Sequence, residues 1–218
     1  MSAGSTLGNN RVVTVLAPAS VGNVAVGYDI LGHALQGMAD TVLVERSEDP
    51  GVRVVEVSGL IKRLPTSASN NTAAAAVSAM ARDLGLEDAG FDIRLNKGIP
   101  LSAGMGGSAA SAVGAVVAVN NMLKIPLPQP DLYGYALAGE TVASGSAHGD
   151  NVGASLLGGL TLTSVAEGPG PVQLKVPNRL RCAVVHPNIR IETREARKIL
   201  PSQLPWKQWL RKQPTSPA

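Results

Sequence analysis

The sequence has few of the residues that build disulfides, metal clusters and base-stacking surfaces. It contains a single cysteine, Cys182, so no intrachain disulfide can form, and no cluster of Cys and His indicates a zinc site. Cys182 lies in an apolar segment and is predicted to be buried. Aromatic residues make up only 3% of the chain. With so little to stack on bases, a nucleic-acid partner is the weakest hypothesis.

Charge and hydropathy exclude further classes of protein. The 218 residues include 19 Lys and Arg against 16 Asp and Glu, a formal net charge of +3. No uninterrupted apolar run approaches the roughly 18 residues of a membrane span. The first residues also lack the basic and apolar regions of a secretory signal. We therefore expect a cytoplasmic protein that has no membrane partner.

The chain is instead rich in glycine and in small apolar residues. It contains 24 glycines, and 44% of its residues are hydrophobic, which is enough for a packed core. Its length fits one domain, or one domain and part of a second, at roughly 100–200 residues per domain. Glycine-rich segments of this kind allow close backbone approach and often contact ligands.

Periodicity and turn residues predict strands and helices in irregular alternation. The predicted strands are residues 11–16, 41–47, 52–58, 91–96, 160–164 and 181–186. The predicted helices are residues 71–84, 108–124, 131–143 and 193–200. Because strands and helices do not alternate strictly, the predicted fold class is α+β.

Turn and cap residues add local predictions. The turn residues 48–51 join two of the strands, 41–47 and 52–58, and indicate a hairpin. Asp131 is predicted to cap the helix that follows it. Residues 17–32, 98–107 and 144–150 are predicted to be loops, the first with a helical turn near Ile30.

The clearest functional signal is a glycine-rich segment between a strand and a helix, with the sequence Lys97-Gly-Ile-Pro-Leu-Ser-Ala-Gly-Met-Gly-Gly-Ser-Ala-Ala-Ser111. Its glycines at 104, 106 and 107 let successive backbone N–H groups face one point at a helix N-terminus, as in anion sites. No lysine follows the glycines, so the segment is not a Walker A loop, and it lacks the dinucleotide spacing. Backbone N–H groups would therefore hold the phosphates. The alternative is a flexible turn whose glycines only permit close packing.

The residues around this loop refine the hypothesis. Ser108 is placed to cap the following helix, or to face a phosphate or its metal ion. That helix is apolar on nearly all sides, which predicts that it is buried. A buried helix keeps its dipole poorly screened at the loop, where an anion would bind.

Four segments, in order along the chain, resemble the GHMP small-molecule kinases, and homoserine kinases most closely. They are Ala17-Pro-Ala-Ser-Val-Gly-Asn-Val-Ala-Val-Gly-Tyr-Asp-Ile-Leu-Gly32, Pro100-Leu-Ser-Ala-Gly-Met-Gly-Gly-Ser-Ala-Ala110, the stretch from Glu140 through His148-Gly-Asp-Asn-Val to Leu157-Gly-Gly-Leu160, and Thr193-Arg-Glu-Ala-Arg-Lys-Ile-Leu-Pro201. The resemblance extends from about residue 12 to residue 201. It implies a GHMP-kinase N-terminal domain whose mixed or antiparallel sheet is packed by helices. It also implies ATP- and Mg²⁺-dependent phosphorylation of the homoserine side-chain hydroxyl, a step toward threonine.

The resemblance also implies roles for individual residues. Ser108 and Glu140 correspond to the pair on the Mg²⁺ side. The ATP-binding residues would be Asn71, near the adenine, and Pro100, Leu101, Ser102, Ala103, Gly104, Met105, Gly106, Gly107, Ser108, Ala109 and Ala110. The homoserine pocket would be Asn23, Asp29, His148, Asn151, Thr193 and Arg197.

Within that pocket, charge and hydrogen bonding suggest a division of tasks. Asp29 would pair with the substrate ammonium, and Arg197 would hold its carboxylate. Asn23 and Asn151 would orient the reacting hydroxyl. We expect Asn151 and Arg197 to act in catalysis, with Asp150 as the candidate base, although phosphoryl transfer can proceed by positioning alone.

Three departures from the family pattern limit how far the resemblance extends. Tyr28 and Gly107 stand where the family usually has Phe and Ser, and no third glycine-rich motif of a second domain is found. We expect a flexible N-terminus (1–10), an ATP-binding domain (11–165), the start of a truncated second domain (166–201) and a disordered or truncated tail (202–218). The alternatives are a GHMP kinase for another alcohol and a non-catalytic nucleotide-binding domain, and a homodimer is left open.

Overall fold

The computed structural model describes residues 6–24, 27–144, 149–163, 170–177 and 179–185. This part of the chain contains six strands: β1 (Val12–Val21), β2 (Leu31–Ser47), β3 (Gly51–Gly59), β4 (Gly90–Lys97), β5 (Leu160–Leu162) and β6 (Val172–Leu174). Its four α-helices are α1 (Thr72–Asp83), α2 (Gly107–Asn120), α3 (Tyr133–Ser144) and α4 (Asp150–Leu157). A 3₁₀ turn at Gln129–Leu132 precedes α3. None of the helices described has both the length and the hydropathy to cross a membrane.

Strand β2 is the centre of a mixed sheet. Its C-terminal half pairs antiparallel with β1 on one side and with β4 on the other. Its first residues pair with β5, and β6 follows β5. Strand β3 joins the far side of β4 in parallel. This arrangement confirms the predicted α+β class and mixed sheet.

The predicted hairpin of residues 41–47 and 52–58 is wrong. These residues do form β2 and β3, but β4 lies between the two strands. The chain leaves β3, passes through α1 and returns as β4, because a parallel pair needs a crossover connection. The local turn signal was present, yet it carries no information about which strand will fill the neighbouring position.

Helix α2 is the centre of the helical layer and packs on β1, β2, α1 and α3. Eleven of its residues are buried, from Ala109 to Asn120, which confirms the helix predicted to be buried on all sides. Its Gly114 lies against the sheet, where an added Cβ would be 2.6 Å from Val42 Cγ2. The glycine therefore lets the helix approach β2 closely, and the N-terminus of α2 is held in a fixed position above the sheet.

Several predicted boundaries change in the segments predicted to be loops at residues 17–32 and 144–150. Residues 17–21 belong to β1 and β2 begins at Leu31, so the predicted loop 17–32 is confined to residues 22–30. A turn at residues 28–30 replaces the predicted helical turn near Ile30. Helix α4 was not predicted. It begins at Asp150, the last residue of the predicted loop 144–150. No helix was predicted there because its many small residues resemble a loop in composition.

Other boundaries change for local reasons. The helix predicted to run to residue 124 ends at Asn120, whose side chain bonds the backbone N–H and C=O of Leu127 and holds the returning chain. Asp131 is not a cap: it lies inside the 3₁₀ turn Gln129–Leu132, whose N-cap residue is Pro128. Prolines at 128 and 130 favour that tighter start because they lack the N–H donors that a first turn leaves unpaired.

The segment after β6 also differs from expectation. Residues 181–185, predicted as a strand, have no regular secondary structure. Cys182, predicted to be buried, is exposed. Its apolar neighbours suggested a core strand, but the sheet described here ends at β6. The helix predicted at 193–200 and the tail predicted at 202–218 lie outside the described residues.

The close approach of α2 to β2 can be tested by filling the space at Gly114. We expect Gly114→Val to lower the free energy of unfolding by about 1–3 kcal/mol, because the new side chain collides with Val42. Urea unfolding followed by circular dichroism measures the change. Gly134→Ala is the control: Gly134 is exposed in α3 with open space around it, so stability should stay equal or rise by about 0.5–1 kcal/mol. Equal losses in both variants would contradict the packing argument.

Candidate active site

A cleft of about 620 Å³ brings together most of the residues that the sequence singled out. It is bordered by the segment after β1, the start of α1, the glycine-rich loop, α3 and the first turn of α4. The predicted residues lining it are Asn23, Asp29, Asn71, Pro100, Leu101, Ser102, Ala103, Gly104, Met105, Gly106, Gly107, Ser108, Glu140, Asp150 and Asn151. Ala109 and Ala110 do not line the cleft, because they are fully buried in α2. His148, Thr193 and Arg197 lie outside the described residues.

The glycine-rich loop ends in a helix N-terminus that no side chain caps. Gly106 is the N-cap residue of α2, with a φ of +63° that favours glycine. Gly104 has a φ of +68°, while Gly107 already belongs to the helix. The N-terminal N–H groups of a buried helix thus meet the cleft, where an anion would be stabilised by hydrogen bonds and by the helix dipole.

A buried ion pair between Asp40 and Lys97 lies directly beneath this loop. Asp40 is 0% exposed and Lys97 is 3% exposed, and the two side chains are in direct contact. The other carboxylate oxygen of Asp40 accepts hydrogen bonds from the backbone N–H groups of Gly98 and Ile99, at 3.0 and 3.1 Å. Asp40 in β2 therefore fixes the start of the loop.

Lys97 fixes the other end of the same loop. Its ammonium donates to the carbonyl of Gly107 and to Ser111 Oγ, both at 2.7 Å, and the Ser111 hydroxyl in turn reaches Asp40 at 3.1 Å. Burial lowers the pKa of Lys97 below its usual range, opposed by the charge and hydrogen bond of Asp40. The lysine supports the loop from below rather than following the glycines as in a Walker A loop.

Ser108 and Glu140 form a polar pair at the N-terminus of α2. The Ser108 hydroxyl donates to Glu140 Oε1 at 3.0 Å. Of the two roles that the sequence allowed for Ser108, it therefore does not have that of helix cap. Burial raises the pKa of Glu140 to about 7; the Ser108 hydrogen bond and the charge of Lys97 act to lower it, and the charge of Asp150 acts to raise it. A hydroxyl and a carboxylate beside a phosphate site are hard oxygen donors of the kind that Mg²⁺ accepts.

The turn after β1 is held by side chains that the sequence assigned to the substrate pocket. Asn23 and Asp29 both have positive φ, 56° and 62°, and Asn23 Oδ1 accepts a hydrogen bond from the Asp29 N–H at 3.1 Å. The Asn23 N–H donates to Asp150 Oδ2 at 2.8 Å. Asn23 therefore shapes the turn that presents Asp29 to the cleft.

Asp150 anchors this turn to helix α4. It is 2% exposed, and its second oxygen accepts from the Asn151 N–H at 2.9 Å. Both carboxylate oxygens thus accept backbone hydrogen bonds. The geometry gives Asp150 a positioning role, and its action as a base stays a prediction.

Asn71 has a structural role at the edge of the cleft. Its side-chain oxygen accepts from the N–H groups of Ala73 and Ala74, capping α1, and its Nδ2 donates to the carbonyl of Pro65 at 2.8 Å. The helix start predicted at residue 71 is confirmed to within one residue. Both polar atoms of this side chain already have partners in the protein. Contact between Asn71 and an adenine stays a prediction.

Sequence reasoning missed the residues that support the loop. Lys97, Ser111 and Ser20 lie within the quoted motifs but received no role, and Asp40 was not considered. The available signals were weak. Asp40 is a lone acidic residue just before a predicted apolar strand, and Ser111 is a serine in the first turn of a predicted apolar helix. A buried charge needs a partner, and pairing them requires knowing that β2 and β4 are neighbours.

The fold is an α+β domain whose cleft is lined by a glycine-rich loop and an uncapped helix N-terminus. Residues 71–159 match the family described as GHMP kinases N terminal domain. The chain is 50% identical over 184 residues to the homoserine kinase of Xylella fastidiosa (strain M12), covering 84% of this chain and 56% of that protein. It is 48% identical over 190 residues to that of Xanthomonas campestris pv. campestris (strain B100), covering 87% and 58%.

Comparison with solved structures leads to the same group. The crystal structure of homoserine kinase from Cytophaga hutchinsonii has a TM-score of 0.84 and 36% identity, covering 94% of this chain and 65% of that one. Methanococcus jannaschii mevalonate kinase, at 17% identity and a TM-score of 0.59, shares the fold alone. Over the residues matched, the chain is homologous to homoserine kinases of the GHMP kinase family, which confirms the resemblance drawn from the four motifs. It spans little more than half the length of the curated relatives it matches.

The Asp40–Lys97 pair can be tested by removing one partner. We expect Asp40→Ala to lower the free energy of unfolding by about 3–5 kcal/mol, because it leaves a buried ammonium without its counter-charge and two loop amides without their acceptor. Urea unfolding measures this. In the control, Glu48→Gln, the exposed ion pair with Arg11 is removed, and stability should not change measurably. A small loss for Asp40→Ala would show that the loop does not depend on the pair.

The raised pKa of Glu140 predicts a pH-dependent stability difference. A carboxyl that titrates at about 7 when folded and near 4.5 when unfolded binds more protons in the folded state between these values. The wild-type free energy of unfolding should therefore fall, relative to Glu140→Gln, as pH rises from 5 to 7, and the difference should level off above 7. Urea unfolding of both proteins in EDTA measures it. An equal difference at pH 5 and pH 8 would refute the raised pKa.

Proposed function

We propose that the chain provides the nucleotide site and much of the acceptor site of a homoserine kinase. The reaction is ATP-dependent phosphorylation of the homoserine side-chain hydroxyl, a step toward threonine. The observation that carries the proposal is one cleft in which an uncapped, glycine-bordered helix N-terminus faces both the Ser108–Glu140 pair and the turn bearing Asn23 and Asp29. The identity to curated homoserine kinases supports the choice of substrate.

In this proposal the triphosphate of ATP lies along the glycine-rich loop. The N–H groups at the start of α2 donate to its oxygens, and the dipole of a buried helix stabilises its charge. The donor set of Ser108 and Glu140 fits Mg²⁺, which keeps few protein ligands when phosphates and water complete its shell. When bound, Mg²⁺ would neutralise the charge that develops on the phosphoryl oxygens.

The amino-acid acceptor lies on the opposite side of the cleft. Asp29 would pair with the substrate ammonium, while Asn23 and Asn151 would orient the reacting hydroxyl. His148, Thr193 and Arg197 complete the proposed pocket on the strength of the motif resemblance, with Arg197 on the substrate carboxylate. An ammonium and a carboxylate distinguish homoserine from isoprenoid and sugar alcohols.

The chemical step transfers one phosphoryl group. The hydroxyl oxygen attacks the γ-phosphorus, the bond from that phosphorus to the β–γ bridging oxygen breaks, and ADP leaves as the hydroxyl proton is released. Asp150 holds the Asn23 turn, and its carboxylate remains the candidate acceptor for that proton. Positioning and charge stabilisation supply most of the catalysis in such reactions.

The function is tested by incubating the purified chain with Mg·ATP and homoserine. We expect ADP and O-phosphohomoserine in equal amounts, detected by coupled assay and by ³¹P NMR, with mevalonate and galactose inactive. Ser108→Ala and Glu140→Gln should reduce turnover by about ten- to a thousand-fold, because each removes a group that serves the transferring phosphoryl. Activity on mevalonate or galactose but not homoserine would overturn the substrate assignment.

Direct nucleotide binding separates a weak kinase from a domain that only binds nucleotide. Titration with Mg·ATP should show saturable binding that Glu140→Gln weakens. The matched control is Glu45→Gln, a partly exposed carboxylate of β2 paired with Arg94 away from the cleft, which should bind as the wild type does. Saturable ATP binding without phosphotransfer to any of the three acceptors would support the non-catalytic alternative.

A further inference from the structure

Ser20 is a buried residue that contacts both halves of the cleft and has no assigned role. It lies near the end of β1 and is 0% exposed. Its backbone N–H donates to the carbonyl of Met105 in the glycine-rich loop at 3.1 Å. Its hydroxyl oxygen lies 2.9 Å from Asn151 Oδ1 and 3.1 Å from the Asn151 carbonyl oxygen. One residue thus connects the phosphate loop to the asparagine at the start of α4.

These contacts hold the Asn151 amide in place. The two Asn151 atoms that face Ser20 Oγ are both oxygens, the backbone carbonyl and Oδ1, so the hydroxyl is the donor. A Cβ added to Gly106 would lie 2.8 Å from Oδ1, and a Cβ added to Gly22 would lie 2.8 Å from Nδ2. The amide therefore lies between two glycines, with its oxygen toward the phosphate loop and its NH₂ toward the acceptor turn.

The orientation matters because an amide has nearly the same shape after a half-turn. Rotation about its terminal bond exchanges a donor for an acceptor at small steric cost, so only hydrogen bonding selects one form. With NH₂ on the acceptor side, Asn151 donates to a lone pair of the substrate hydroxyl and so orients it for attack. The reversed amide would present an acceptor oxygen there and hold the hydroxyl in a different orientation.

We propose that Ser20 is a positioning residue that holds the Asn151 amide with its NH₂ presented to the acceptor side of the cleft. Its backbone hydrogen bond to Met105 fixes the position of this amide relative to the glycine-rich loop. The inference rests on the proposed function, since it assigns Asn151 to the acceptor hydroxyl. It adds a residue that touches no substrate and acts only through another side chain.

The kinetic test compares Ser20→Ala with Ser20→Thr, which restores the hydroxyl. We expect Ser20→Ala to lower kcat by about tenfold, the loss of one hydrogen bond that is effective in the transition state, while KM for ATP stays within about twofold. Ser20→Thr should recover most of kcat. The matched control is Ser155→Ala: Ser155 is also a buried serine between α4 and β1, but its hydroxyl donates to the carbonyl of Pro18. Its kcat should match the wild type.

A double-mutant cycle distinguishes positioning from general structural damage. In an Asn151→Ala background, Ser20→Ala should have almost no further effect on kcat, because the side chain through which it acts is gone. An undiminished effect in that background would overturn the proposal. So would a Ser20→Ala protein with wild-type kcat.

NMR tests the role of Ser20 independently of the proposed function. The Asn151 side-chain NH₂ signal, assigned by its loss in Asn151→Asp, should shift or broaden in Ser20→Ala but not in Ser155→Ala. If the wild-type chain phosphorylates no homoserine, the proposed function fails, and this signal still decides whether Ser20 orients Asn151. An unchanged signal in Ser20→Ala overturns the role of Ser20 whatever the activity.

Discussion

The cleft depends on the buried ion pair between Asp40 and Lys97. A glycine-rich loop has few side chains with which to pack, so its shape must be set from outside. The pair does this at both ends, since Asp40 accepts from the first amides of the loop and Lys97 donates to Gly107 at the start of α2. Burying two charges is costly, and the cost is offset only when the remaining hydrogen-bonding positions are satisfied. Here Ser111 and the loop backbone satisfy them.

Because of this support, an anion in the proposed site would depend mainly on backbone amides. Amides already held in position need no reorganisation when charge develops, and the dipole of a buried helix is poorly screened. The side chains around the cleft mostly hold one another: Asp150 holds the Asn23 turn, Asn23 holds Asp29, and Ser20 holds Asn151. Glu140 is held by Ser108; burial raises its pKa to about 7, and a neighbouring divalent cation would reverse that tendency.

The sequence-based predictions succeeded where a signal was local and failed where it depended on distant neighbours. The glycine-rich loop, the buried helix after it and the Asn71 helix start follow from short patterns, and the structure has all three. The hairpin failed because β4 separates β2 and β3, and no turn residue encodes which strand inserts. Cys182 failed for a related reason: an apolar stretch is buried only if another element covers it, and this one is exposed.

The sequence alone indicated the family, the glycine-rich loop and most residues that line the cleft, since these are motifs of residue types at fixed spacing. The tertiary structure showed which of them support a neighbour. Asn71, Asn23 and Asp150, which were predicted for the site, each accept hydrogen bonds from backbone N–H groups. Asp40 and Ser20 gain roles only because segments far apart in sequence meet. Hydrogen bonds depend on distance and direction, which a linear pattern does not contain.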